Sequence, residues 1–597
     1  MVLDTLTGSH SPAPRCTSLD ILSVHSMPSQ PTATEREMEA QEVAELFHED
    51  LIPGTELMTD LTDVHFVRNA AGKVLVPQPH NDPRDPLNWD VKWKLLSMFG
   101  MFLMTITTAM GPLSIAPQVS YYMAEWDRSL ADVLQFTGVC ILVLGFSNFL
   151  WVPITTRYGR RPCAILSGLL GLGCCIWRAK ATSYNSMFAA SALHGVAAGP
   201  GETFGPIVIA DVMFLHERGL YMTLYLWAYM GMLMIGPIIA GAMTLNYGWR
   251  SFWWFCVALY ALQVAYCVAL FPETKWNRNA ETPQDIDPTS VATEAEKATV
   301  DAEHEDKAAV VGETDSEKTA AAARGDNTAT TEHVGARIEH HDNYLWHGAP
   351  CKSQFAFVSS LALGYDNDIK RIFLVPFQLF MYPIVQFGGF VFSFSASSFL
   401  VINLTQSQVF EVAPYNMNVA QIGYTNFGLW IGATIGMFTA GPLSDWISMR
   451  ATKKNHGIRE PEMRLPTLIP YGICLFVGSM VTMFGYYNEW RWPVIVVIGF
   501  GLVGMQVAAL PAIALTYAVD SYKPVAGEVL LNVTINKNLW AYGVSKFITP
   551  WIEKSGYLPP LGTELALSML WLLFGIPLYF FGKHARRWSR NSSVHRM

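Results

Sequence analysis

The chain has 597 residues, 51% of them hydrophobic and only 15% charged, with 33 Phe, 23 Tyr and 19 Trp. A soluble protein carries more charge, and the apolar residues here come in blocks of about 20, the length at which an α-helix crosses a hydrocarbon core of roughly 30 Å. The net charge of −9 belongs to two polar segments, the N-terminal arm and the stretch from Glu273 to about Asp342, so it marks no site and no nucleic-acid partner is expected.

Residues 1–90 form an arm with Ser, Pro and Thr clusters, expected to be disordered. It has no basic segment followed by an apolar run, so the first spanning helix is expected to act as its own signal. Pro86-Leu-Asn-Trp89, at its end, suits an interfacial cap because Trp favours the headgroup layer. Apolar runs and polar breaks then give twelve spans. Six lie near 93–117, 133–155, 162–177, 187–210, 220–245 and 252–271, within a bundle at 91–272. Six more lie near 372–402, 419–443, 466–486, 493–518, 525–552 and 565–581, within a bundle at 369–583. The seventh and eleventh exceed the bilayer length and must tilt, kink or protrude. The linker between the bundles, 273–368, has Ala, Thr, Glu, Asp and Lys tracts without an apolar period and is expected to be disordered at least over 282–341. His340-His341 within it reads as solvated, not as a metal site. A tail at 584–597 closes the chain. The predicted fold is an all-α membrane protein of twelve transmembrane helices in two six-helix bundles.

Lys and Arg crowd the loops after even-numbered spans, which places both termini and the linker in the cytoplasm of a multi-pass protein, expected in the plasma membrane. Asn403-Leu-Thr405 then faces outside as a glycosylation sequon. The nine cysteines show no CxxC pair or metal-ligand spacing and read as small packing residues. Arg157-Tyr-Gly-Arg-Arg-Pro162 closes the second span and Gly441-Pro-Leu-Ser-Asp-Trp446 the eighth, the same kind of joint at equivalent points of two halves. Many secondary transporters are built on such a repeat.

With these joints, the region from about Pro86 to Lys583 resembles the major facilitator superfamily. Asn148-Phe-Leu-Trp-Val-Pro153, Pro200-Gly-Glu-Thr-Phe-Gly-Pro206 and Gly457-Ile-Arg-Glu-Pro-Glu-Met-Arg-Leu465 are similar to one fungal branch, the twelve-helix drug:proton antiporters, in particular the histidinol and polyamine permease-like group. There are three departures from the pattern. Thr156 stands where the first joint usually has an acid, a role Asp445 fills in the second; Ser191, four residues before Gly195, stands where many antiporters carry an Arg; Met232 and Ala240 replace glycines around Gly236-Pro237-Ile-Ile-Ala-Gly241. The first departure implies that the second joint carries most of the charge-dependent gating.

Charges inside spans are costly, so each is a functional candidate. In the fourth span His194 and Glu202 share a face flanked by Gly195, Gly199 and Gly201, with Pro200 and Pro206 removing backbone donors. Such a broken helix can present a carboxylate to substrate or proton, or simply pack closely with Glu202 bonded internally. In the eleventh span Glu528, Asn532 and Asn536 recur every four residues, with Lys537 and Asn538 alongside. The amides fit a cavity wall or an interhelical hydrogen-bond network. Tyr382 and Gln386 of the seventh span fit an aromatic wall for a hydrophobic or cationic cargo, or packing between helices. Lys546 suits snorkelling. Asp445, Arg157, Arg160 and Arg161 are candidates for gating at the joints, the arginines also serving topology.

No GxxxxGK[ST] loop, nucleophile elbow or HExxH occurs, so no enzyme activity, cofactor or metal is expected. The reading is a transporter working by alternating access on a small organic substrate with protons, in the lipid bilayer, as a monomer. Proton-coupled efflux of a drug or secondary metabolite comes first. Uptake of polyamines or related organic cations, a transporter-like nutrient sensor and a passive channel are the alternatives.

Overall fold

The computed structural model of the chain describes residues 56–57, 77, 79–80, 82–276, 345–358, 375–455, 458–522 and 525–589. Most of the arm, the linker core with His340 and His341, Lys523 and residues 590–597 lie outside them. The regular structure of the described residues is helical, apart from a two-residue antiparallel ladder of β1 (Glu56–Leu57) with β2 (Ile458–Arg459) and one isolated parallel bridge. Nine of their helical segments are long and apolar enough to cross a membrane.

The N-terminal part runs through α1 (Val91–Met110), α2 (Val119–Trp126), α3 (Leu130–Tyr158), α4 (Arg160–Ala179), α5 (Tyr184–Ala198), α6 (Pro200–Val212), α7 (Leu215–Tyr247) and α8 (Trp249–Ala269). Local chemistry sets these ends. Ser129 and Ser183 cap α3 and α5 by accepting from backbone N–H groups three residues on. Gly159, at φ 104°, turns α3 into α4 through backbone space that side chains disfavour. At Gly199 the expected fourth span divides into α5 and α6. A Cβ there would stand 1.9 Å from Ser147 Oγ, and Pro200 supplies the first residue of α6, where no N–H partner is needed.

The C-terminal part runs through α9 (Pro383–Phe410), α10 (Val419–Lys454), α11 (Leu468–Tyr487), α12 (Gly501–Ser521), α13 (Ala526–Ser555), α14 (Leu558–Leu573) and α15 (Gly575–Ser589). Pro383 starts α9 later than the sequence suggests, and the helix runs on to Phe410. Asn403 therefore lies inside a helix, fully buried, where no glycan can reach it; the outward-facing sequon is a misreading caused by ending the span at 402. Trp89 is likewise buried, paired through a parallel bridge with Gly348, and so is no headgroup anchor.

Two described stretches of the expected linker are packed against the N-terminal part. Glu273 donates its backbone N–H to Gln354 O at 2.8 Å, and Gly348 exchanges backbone bonds with Asn88 and Asp90. Lys94, 2% exposed, sits 3.7 Å from the Trp346 ring centroid. Residues 273–276 and 345–358 of the expected linker are thus packed chain.

The two parts meet along two helix pairs, α3 with α13 and α7 with α10. Glycines bring the backbones close, as small residues do between membrane helices. A Cβ at Gly145 would lie 2.6 Å from Asn538 Cβ, and one at Gly241 2.6 Å from Val419 O.

Candidate functional site

Glu202 stands in the first turn of α6, where the helix dipole favours a negative charge. Its side chain is 5% exposed and spans the two parts of the chain. Oε1 forms an ion pair with Lys537 Nζ of α13 and accepts from the Tyr229 hydroxyl of α7 at 2.6 Å; Oε2 accepts from Asn538 Nδ2 of α13 at 2.9 Å. Lys537 also lies 5.2 Å from the Phe392 ring centroid and 5.9 Å from that of Tyr229, within cation–π range.

Glu202, Tyr229, Lys537 and Asn538 line a cavity of about 60 Å³ together with Leu113, Leu144, Met230, Phe399, Leu400 and Ala541. A buried ion pair adds little net stability, but removing one partner leaves a stranded charge at a cost of about 3–5 kcal/mol. This arrangement therefore suits a contact that is made and broken in company with another charge. A cationic cargo group, or a proton on Glu202, can take the place of Lys537.

The other expected site residues lie apart from it. Asn532 donates to Pro376 O at 2.8 Å and accepts from Gln386 Nε2 at 3.4 Å, while Asn536 donates to Gln386 Oε1 at 3.3 Å. They form the interhelical network between α13 and α9, not the wall of the cavity at Glu202. Tyr382 caps α9, with its ring 5.5 Å from that of Tyr522 and 6.1 Å from that of Trp588. His194 is fully buried behind the cavity wall, 3.7 Å from Cys140 Sγ and 3.4 Å from the Tyr260 hydroxyl.

At the end of the molecule where the joints lie, called here the joint end, both joints carry charge networks. Arg160 pairs with Asp211 at 2.7 Å. Glu273 accepts from the backbone N–H groups of Arg160 at 2.8 Å and Arg161 at 3.0 Å, so a carboxylate from past α8 caps α4. Burial raises the Glu273 carboxyl above its usual value, while these N–H groups and the Arg160 charge pull it back. Arg161 binds the Phe271 carbonyl and, at 2.7 Å, that of Val268, closing the C-terminus of α8. Arg157 is exposed, and its carbonyl accepts from Lys275 Nζ at 3.3 Å. Burial pushes the Lys275 ammonium down to about 8.

In the second joint Arg464 lies 3.5 Å from Asp445 and 3.2 Å from Asp520. Glu462 pairs with the fully buried Arg586 at 2.7 Å, and Glu460 pairs with Lys583. Thr156 therefore leaves the first joint with no lack of acid: Asp211 and Glu273 supply it from distant sequence. Both joints thus hold ion pairs of their own. Asp445, 60% exposed, has one long contact and belongs with Arg464 and not with Arg157, Arg160 or Arg161.

Sequence reasoning passed over Lys537, Asn538 and Tyr229 as a set. Lys537 was visible as a charge within a span, the signal that singled out Glu202.

The family model for the Major Facilitator Superfamily matches residues 96–531. The chain belongs to the major facilitator superfamily. Its members are transporters, so this protein is a multi-pass membrane transporter and not an enzyme. Among curated superfamily relatives, an MFS-type transporter of Schizosaccharomyces pombe is 25% identical over 86% of this chain and 88% of its own. Protein HOL1 of Saccharomyces cerevisiae is 25% identical over 91% and 96%. Quinidine resistance protein 3 of the same yeast is 30% identical, over 29% of this chain and 26% of its own.

Proposed function

We propose that the protein is a proton-coupled transporter that moves an amphipathic organic compound carrying a cationic group, by alternating access between two six-helix bundles of twelve spans, most directly as an exporter of a drug or secondary metabolite. The observation that carries this reading is the buried Glu202–Lys537 pair, one member from each part of the chain, at the wall of the cavity. Such a pair has little use as a static brace, but it can report binding: a cation or proton arriving at Glu202 releases Lys537 and with it the hold of α6 on α13.

Further observations support it. The small cavity is lined from both parts of the chain, by α3, α6 and α7 and by α9, α12 and α13, as a site worked by alternating access requires. At the end opposite the joints, Ser407 Oγ of α9 donates to Ala116 O at 2.5 Å, a contact that must part when this end opens. Loop charge makes the joint end cytoplasmic, with both termini on that side of the plasma membrane. A probable efflux pump of Aspergillus flavus, 21% identical over 78% of this chain, and the quinidine resistance protein favour export and the fungal drug:proton antiporter branch. Uptake of an organic cation such as a polyamine is the second reading, favoured by Glu202 lying beside the Tyr229 hydroxyl and the Phe392 ring.

The test is flux in both directions of labelled spermidine and of a panel of hydrophobic drugs, in cells expressing wild type or Glu202→Gln, with and without a protonophore. Export predicts drug retention that falls with wild type and recovers with the protonophore or the variant, by about tenfold or more. Retention identical with and without the protein contradicts export, and absence of spermidine entry contradicts uptake.

A further inference from the structure

Away from both the cargo cavity and the joints, one of the spanning helices carries another buried carboxylate. Glu564 is on α14, 8% exposed, and its side chain meets the Ser397 hydroxyl of α9. Ser397 Oγ also accepts from Trp540 Nε1 of α13 at 3.2 Å and lies 3.0 Å from the Phe394 carbonyl. The elements packed around Glu564 face it with Ser398, Ser479, Thr482 and Val503, together with Val401 and Ile402, and none of these is charged or titratable. They enclose about 20 Å³ beside the carboxyl, room for about one water.

An ionised carboxylate in such a place has no cation among the described residues that line it, and a stranded charge in a span is costly. The geometry around Ser397 serves both protonation states. Its hydroxyl has one proton and two acceptors in reach, the Glu564 carboxyl and the Phe394 carbonyl. With Glu564 ionised, Ser397 donates to the carboxylate. With Glu564 protonated, the acid O–H donates to Ser397 Oγ and Ser397 turns its own proton to the Phe394 carbonyl. The Ser397 hydroxyl and the Glu564 oxygen it meets stay bonded in either state.

The same turns of helix reach the cargo site. Ala396, next to Ser397, lines the cavity at Glu202, as does Ala541, next to Trp540; Lys537 lies one turn before Trp540 on α13.

We propose that Glu564 is the binding site of the coupling proton, separate from the cargo site, and that Ser397 and Trp540 pass its occupancy to α13 and so to the Lys537–Glu202 pair. The proton adds to a carboxylate oxygen from water on one side of the membrane and leaves to water on the other, with no other bond made or broken. This rests on the proton-coupled reading above.

The test uses the full chain in proteoliposomes, with labelled spermidine and the drug panel as probes and two modes of transport. Counterflow exchanges labelled for unlabelled probe without a proton gradient; accumulation is driven by an imposed gradient. Glu564→Gln is expected to keep counterflow within about twofold of wild type and to lose accumulation by about tenfold or more. Glu564→Asp is expected to recover part of it. Ser397→Ala, which keeps the carboxyl but removes its donor, is expected to move the pH of half-maximal accumulation upward by about one unit. Glu564→Gln that accumulates probe like wild type overturns the assignment. If that variant loses counterflow as well, Ser397→Ala decides, and an unmoved pH profile overturns it. A wild type whose transport ignores the proton gradient overturns the coupled reading itself, a result distinct from a coupled wild type with an indifferent Glu564→Gln.

Discussion

Asn532, Asn536 and Lys537 are sequence neighbours with different work. Each residue turns an α-helix by about 100°, so the amides at four-residue spacing look toward α9 while Lys537 and Asn538 look toward Glu202. Asn532→Ala is expected to cost about 0.6 kcal/mol for each helix–helix bond lost and to leave the KM of a transported probe within about twofold of wild type. Asn538→Ala, which takes a donor from Glu202, is expected to change that KM by about fivefold or more. Equal effects in a transport assay would contradict the division. Glu273 gives a pH signature. Its carboxyl is raised by burial, so the folded chain takes up this proton before the unfolded chain does. The stability it contributes therefore rises as pH falls from 7 through the native value and is flat below the usual carboxylate value. Glu273→Gln lacks that rise, and wild type is expected to gain melting temperature over the variant as pH falls toward 5. Parallel melting curves would contradict it. At this scale Glu202 was legible in the sequence because a lone acid stands out in an apolar run. Glu564 was not, because the last span was drawn from residue 565 while α14 begins at Leu558. Nor were the acids of the first joint, since Asp211 and Glu273 reach Arg160 and its backbone from 51 and 113 residues away.

Helices explain why the expected spans were found but not their edges. Apolar length is a strong signal, and nine helical segments of the described residues are long and apolar enough to cross a membrane. The fourth, eighth and eleventh expected spans fall outside these nine. Two of the three, α10 and α13, carry polar side chains such as Asn426 and Asn532 buried against other helices, and the remaining one is divided at Gly199–Pro200. Burial by protein instead of lipid is what hydropathy cannot register. The α3–α13 contact gives a prediction at this scale. Gly145→Val puts a side chain where Asn538 Cβ stands 2.6 Å from an added Cβ, which must push α13 and the Lys537 side chain away from Glu202. Transport is expected to fall about tenfold or more with the protein still in the membrane. Gly173→Ala in α4, with nothing within 4 Å of an added Cβ, is expected to transport like wild type and to gain up to about 1 kcal/mol of helix stability. A Gly145→Val variant as active as Gly173→Ala would show that this close approach is dispensable.

For the molecule as a whole, the two joints are asymmetric in sequence and alike in physics. Each fixes a basic residue with acids from its own part of the chain, Arg160 with Asp211 and Arg464 with Asp445 and Asp520. The linker ends and the segment before α1 are packed onto the first of them, through Glu273, Gln354 and Gly348. Between the parts, the described ion pair at the cavity is Glu202 with Lys537, and the account depends on it. The measurement that tests it most directly is transport by the charge-reversal set Glu202→Lys, Lys537→Glu and the two together, compared at equal amounts in the membrane. Each single variant places two like charges in one buried contact and is expected to lose about a hundredfold or more in flux. The double variant restores an opposite-charge pair and is expected to recover to within about tenfold of wild type. Single variants that transport like wild type, or a double variant no better than either, would contradict the role of this pair as the contact that cargo and proton open.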